Sequence, residues 1–315
     1  MTTTRVLVPP PASGVIPPMV TPLLPSGEPD LDSLDSLIDH LIGQGVTGLL
    51  ALGSCGENGA LTRDERLAVA DRAVRRVAGR VHLMIGVPAL GTREAVVDAT
   101  TYARMGADAV LVPPTFVFPH SPAELADHFR AVAAAAGDTA VLAYNIPTRV
   151  NVNLEPSLLR ELAAEGAIAG TKDSSGNVEA QRMLAEQTAD LADFRRYTGS
   201  EFAIDGLLLG GFHGAVPGLA NAFAPLHVEL ANRAAAGDWK GAAAVQGRIV
   251  GLFALYQHPL PGGSFSAAVV GSLKEALVQQ GIIQHATTAH PFAQVDDGMR
   301  EHVRSVLAAA ADPKE

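Results

Sequence analysis

Short apolar runs alternate with amphipathic stretches along about two-thirds of the chain. Runs at 14–20 (GVIPPMV), 48–53 (GLLALG), 81–87 (VHLMIGV) and 107–113 (ADAVLVP) predict strands. So do 139–145 (TAVLAYN), 167–172 (AIAGTK), 194–199 (FRRYTG) and 213–218 (HGAVPG). Between them lie helix patterns such as LDSLDSLIDHLIGQG and TRDERLAVADRAVRRVAG, with polar starts and glycine ends that mark helix boundaries. The runs begin roughly every 20 to 33 residues, one βα unit each. Eight such units, with strands apolar on both faces, predict an α/β fold: a closed (β/α)8 TIM barrel over 14–221. A doubly wound open sheet is the alternative, which eight regular units disfavour. From about 222 onward the pattern is almost all helical, predicting a C-terminal helical extension over 222–315. Residues 1–13, proline-rich at their end, read as a loose N-terminal arm.

In such a barrel, chemistry gathers where strands end at their C-termini. The lysines are therefore informative, because nineteen of the twenty-three basic residues are arginine and only Lys172, Lys240, Lys274 and Lys314 remain. Lys314 is in the tail. Lys240 and Lys274 fall in helix patterns, where a solvated or snorkelling amine is expected. Lys172 alone stands at the end of a strand run. There it is either an ion-pair residue, with Asp173 or another strand-end carboxylate, or a nucleophile, since a desolvated lysine forms imines and arginine does not. Tyr144 ends the preceding strand run and could project into the same cavity, where a phenol can move protons. Alternatively, it is an amphipathic rim residue. The glycine-rich turn of ALGSCGENG (51–59) carries Ser54 and Cys55 and can present backbone amides to an anion.

Composition narrows the function classes. A net charge of −10 argues against a general nucleic-acid partner, but leaves room for an anionic substrate held by one arginine or a pair of amides. No run of about 18 apolar residues predicts a membrane span, and the N-terminus does not read as a signal peptide. Cys55 is the single cysteine, so a reducing, cytoplasmic location is expected. His285 and His290 are five apart and make no metal signature; no metal is expected. His213 reads as a structural residue at the start of the eighth strand. Cys55 read as a thiol nucleophile lacks a histidine that any motif places beside it.

GSCGE (53–57), YNIPTR (144–149), GTKDSSG (170–176), TGSE (198–201) and GAVPGLAN (214–221), with MVTP (19–22) and LKEAL (273–277), occur here in this order. Together they resemble the dihydrodipicolinate synthase / N-acetylneuraminate lyase family of class I pyruvate aldolases, from about residue 14 to about 283. The resemblance implies a barrel with a C-terminal helical domain, assembled as a dimer or tetramer. It implies that Lys172 forms a Schiff base with a 2-oxo acid, usually pyruvate, with Tyr144 as general acid–base and no cofactor beyond that imine. Gly53, Ser54 and Cys55 would hold the pyruvate carboxylate, and Gly199 and Val216 would line the pyruvate pocket through main-chain groups. Arg149 would receive the carboxylate of a second substrate, an aldehyde.

Two departures bear on that aldehyde. The synthases' hydroxyl relay has a threonine where this chain has Cys55, and a tyrosine where the register through ELADHF places Val117. Neither Val117 nor its neighbours Phe116 and Phe118 can pass a proton. The sequence is thus read first as a lyase of the 2-keto-3-deoxy-acid aldolase type. The alternatives are 4-hydroxy-tetrahydrodipicolinate synthase, a dehydratase of sugar-derived 2-oxo acids, and a silent 2-oxo-acid-binding sensor. The phenylalanine-rich loop favours a less polar or larger aldehyde than a sugar.

Overall fold

The computed structural model describes residues 10–11, 13–88 and 90–311. Most of the expected arm, and Lys314, lie outside them. Eight parallel strands form the barrel: β1 Gly14–Val15, β2 Gly48–Ala51, β3 His82–Gly86, β4 Ala109–Val112, β5 Ala140–Asn145, β6 Gly170–Asp173, β7 Arg195–Thr198 and β8 Gly214–Ala215. Each pairs with the next in chain order from β2 to β8, and β8 pairs with β1. The ring closes between β1 and β2, where Thr47 N donates to Val15 O (3.0 Å), Leu50 N to Pro17 O (3.0 Å) and Met19 N to Leu50 O (2.9 Å). An open sheet is thereby excluded.

The strands are shorter than the apolar runs that announced them. β1 stops at Val15 because Pro17 and Pro18 have no N–H to donate. Their segment still serves the barrel through its carbonyls. The double-sided apolar character follows from two cores. In β2, Leu50 points into the barrel with Ile16, Met84, Leu111 and Leu142, whereas Leu49 and Ala51 face the surrounding helices. Helix Arg63–Val77 shows how local chemistry sets a boundary. Thr62 Oγ1 accepts from Glu65 N and Glu65 Oε2 from Thr62 N, a reciprocal cap.

The C-terminal extension contains helices Ala220–Ala235, Trp239–Leu252, Phe265–Gln279 and Asp297–Ala311. The first begins two residues before the expected position of 222 and kinks at Phe223, just ahead of Pro225. Lys240 is exposed, as its helix pattern predicts. Lys274 is not. Helix Phe265–Gln279 is buried from Val270 to Leu277, and Lys274 is fully buried in an ion pair with Glu57, just beyond β2. The expectation of a solvated amine fails because this helix is covered on its polar face as well as its apolar one. No helix among the described residues is long and apolar enough to cross a membrane.

His213 lies at the start of β8 as expected, its Nδ1 accepting from Arg196 N at 3.1 Å. His227 is 1 % exposed, with Nδ1 near Phe223 O (2.9 Å), and burial pushes its pKa down to about 4. The unfolded chain therefore binds a proton that the fold refuses. The stability His227 confers is complete above pH 6.5 and lost as pH falls from there to about 4, by roughly 3 kcal/mol. Denaturant melts of His227→Gln should show a shallower acid loss between those limits than wild type.

Candidate active site

β5 and β6 pair with Tyr144 opposite Lys172, so both side chains enter the barrel mouth side by side. Lys172 is 4 % exposed and its Nζ lies 4.5 Å from the centroid of the Tyr144 ring. Tyr144 Oη is 3.5 Å from Ser54 Oγ. Asp173, the ion-pair partner the sequence offered, points the other way because strand side chains alternate. Its carboxylate is engaged by Asn145 Nδ2 (2.7 Å), Gln181 Nε2 (2.9 Å), Ser175 N (2.9 Å) and Ser175 Oγ (2.6 Å). Among the described residues Lys172 has neither a hydrogen bond nor an ion pair. Of the two buried lysines among the described residues, Lys274 is in an ion pair and Lys172 is in none.

The turn after β2 faces this amine. Gly56 N donates to Gly53 O and Glu57 N to Ser54 O, while the N–H groups of Ser54 and Cys55 meet no acceptor among the described residues. Two successive free amides are a small anion site. Leu52 and Glu57 bracket the turn with left-handed φ of 55° and 54°, and Gly86 is required beside it because any Cβ there would strike Leu52 O. Asn221 ties the turn's surroundings together, donating to Pro18 O and Gly218 O (both 2.9 Å) and accepting from Val20 N (3.0 Å). Burial pushes the Cys55 thiol up despite the Lys172 charge, which opposes the thiolate a nucleophile needs.

Gly199 follows β7 and its N–H donates to Asp173 O (2.7 Å). A Cβ there would collide with Ser174 Oγ and come within 3.3 Å of Lys172 Cε, so the absent side chain is what lets β7 close against the amine. Gly199→Ala should reduce adduct formation on Lys172 about tenfold or more with a smaller change in melting temperature. Val216 follows β8, buried, with its N–H on Thr198 O (2.7 Å). Arg149 is exposed, in the short helix Pro147–Val150, and its Nη1 reaches Ser266 Oγ (3.2 Å).

A cavity of about 300 Å³ is lined by Ser54, Tyr144, Arg149, Phe116, Arg66 and Glu94, among others. Phe116 contributes the apolar wall the loop promised, but Val117 and Phe118 are 56 % and 70 % exposed. The position expected to break the relay thus lies at the surface. Two residues to which no motif gives a role, Glu201 and Tyr256, lie near Lys172 and Cys55. Glu201 accepts from Leu219 N at 2.6 Å; desolvation pushes its pKa up to about 7, against the pull of that N–H, Lys172 and Tyr256. Tyr256 Oη sits beside Gly218, where an added Cβ would lie 2.9 Å from it and 3.6 Å from Cys55 Sγ. Glu201 was legible as the carboxylate of TGSE; Tyr256 comes from the helical extension and carried no local signal.

A model of the Dihydrodipicolinate synthetase family matches residues 11–310. The chain belongs to that family. It is 30 % identical to the 4-hydroxy-tetrahydrodipicolinate synthase of Laribacter hongkongensis, over 95 % of this chain and 98 % of that one. It is 32 % identical to the protein of the same name from Leptothrix cholodnii, over 80 % and 85 % of the two chains. Among solved structures, the E. coli K12 prophage protein YagE, crystallised with pyruvate, superposes with a TM-score of 0.89 at 28 % identity. That match covers 95 % of this chain and 98 % of YagE. Dihydrodipicolinate synthase from Bacteroides thetaiotaomicron gives 0.88 at 31 % identity, over 95 % and 99 %. The barrel with its C-terminal helical extension is thus the family's fold, and the chain is an enzyme of dihydrodipicolinate synthetase type.

Proposed function

We propose that this enzyme is a Schiff-base lyase that joins pyruvate to an aldehyde, or cleaves the joined product, through Lys172. The observation that carries the reading is a buried strand-end lysine in no ion pair, beside a phenol that contacts Ser54. Nζ adds to the 2-oxo carbon and water leaves, giving an iminium; the adjacent methyl then loses a proton to give the enamine. The enamine carbon attacks the aldehyde, and hydrolysis of the product imine frees Lys172. Tyr144 moves the protons, and the free amides of Ser54 and Cys55 receive the carboxylate. The imine requires no dissociable cofactor.

For the aldehyde, a 2-keto-3-deoxy-acid type of reaction is favoured by Cys55 and the exposed Val117, which leave the synthases' hydroxyl relay incomplete. 4-Hydroxy-tetrahydrodipicolinate synthase is the second reading, favoured by Arg149 at the cavity wall and by the curated relatives. We further propose a cytoplasmic homo-oligomer, a dimer or tetramer, which sedimentation would size.

Borohydride reduction with pyruvate, followed by peptide mass spectrometry, tests the reading. A reduced adduct on Lys172 is expected, and an aldehyde panel including aspartate semialdehyde then separates the two reactions. An adduct without turnover of any aldehyde would favour a binding protein, and no adduct on folded protein would sink the imine. Adduct formation should rise with pH through about 7 as Glu201 ionises opposite the developing iminium, and Glu201→Gln should flatten that limb.

A further inference from the structure

We infer that Lys274 and Glu57 are positioning residues through which the C-terminal helical extension holds the carboxylate-binding turn in place. The inference rests on the turn Ser54–Cys55 binding the 2-oxo acid, as proposed above. Glu57 is two residues beyond Cys55 and connects in two directions. Its main chain closes the turn, the N–H donating to Ser54 O (3.2 Å) and the carbonyl accepting from Ala60 N (2.8 Å). Its side chain leaves the barrel altogether. Oε1 accepts from Ala289 N (2.6 Å), and Oε2 meets Lys274 Nζ, with both side chains at 0 % exposure. Lys274 Nζ in turn donates to Thr287 O (2.7 Å). The helix Phe265–Gln279 and the segment 287–289 therefore grip one carboxylate at both oxygens.

A left-handed φ of 54° at a residue with a long side chain is unfavourable. It persists here because the carboxylate is held at its far end. A buried ion pair is poor evidence of stability, since well-packed apolar residues often replace one without loss. What such a pair supplies is a fixed direction, because an ion pair at one oxygen and a hydrogen bond at the other tolerate little displacement. The direction it fixes is that of the amides of Ser54 and Cys55. A displacement of those amides would weaken the grip on the carboxylate while leaving Lys172 and Tyr144 where they are.

Two double variants, both without a buried charge, test this. Glu57→Gln/Lys274→Met keeps an oxygen for the Ala289 N–H; Glu57→Leu/Lys274→Met fills the space but removes the anchor. The readout is borohydride trapping of pyruvate on Lys172 as a function of pyruvate concentration, with melting temperature measured alongside. The leucine pair should raise the half-saturating concentration about tenfold while the limiting rate stays within about threefold. The glutamine pair should recover half-saturation to within about threefold of wild type. Should the leucine pair not fold, Glu57→Ala/Lys274→Met takes its place with the same expectations. Double variants that saturate alike, or lose only the limiting rate, overturn the positioning role. Wild-type protein that traps no pyruvate overturns instead the Schiff-base reading on which it rests.

Discussion

Lys172→Arg should abolish pyruvate trapping and lower turnover by about 10⁴- to 10⁶-fold, the scale of losing a covalent nucleophile. Arginine keeps the positive charge but does not form an imine. Any loss therefore reports the bond and not the electrostatics of the mouth. The same site makes a second, less common forecast. Among the described residues Lys172 forms no ion pair, since Asp173 is fully occupied by Asn145, Gln181 and Ser175, although its charge favours the ionised form of Glu201. Removing the amine breaks no hydrogen bond or ion pair, and Glu201, losing the pull of that charge, can take up a proton. Lys172→Met should thus melt no lower than wild type, because a polar amine at 4 % exposure without a hydrogen bond is held against its own desolvation. A reduced pyruvyl adduct found on another lysine of Lys172→Arg, or a large drop in melting temperature for Lys172→Met, would place the chemistry or the ion pair elsewhere.

Tyr144→Phe should keep the fold and lower turnover by about 10²- to 10⁴-fold, the range for loss of a positioned acid–base. Phenylalanine retains the ring that lies 4.5 Å from Lys172 Nζ and loses only the hydroxyl that stands 3.5 Å from Ser54 Oγ. Single-turnover trapping separates the two contributions. With the amides of Ser54 and Cys55 untouched, the carboxylate should dock as in wild type, so half-saturation should change little while the rate of adduct formation falls. A variant that loses pyruvate affinity and keeps its limiting rate would show that Tyr144 binds and does not move protons.

Lys172 was legible because the strand pattern and the position at a strand end are local features, and the barrel turns strand ends into one mouth. Tyr144 and Ser54 were legible for the same reason: each is written at the end of its own apolar run. Glu57 and Lys274 were not. Each looked ordinary alone, one a glutamate in a turn, the other a lysine on a helix. Tyr256 and Ser266 likewise gain their relation to the site only when the helical extension folds back over the strand ends.

Periodicity and order along the chain thus determine the eight βα units and the face on which the chemistry must lie, since both follow from local alternation and from the handedness of parallel connections. Tertiary packing decided which buried lysine is paired and which is free. The difference is that a charge's partner is a matter of distance in space: Asp173, adjacent to Lys172 in the chain, points to the opposite side of the strand, whereas Glu57, from the far end of the chain, closes on Lys274.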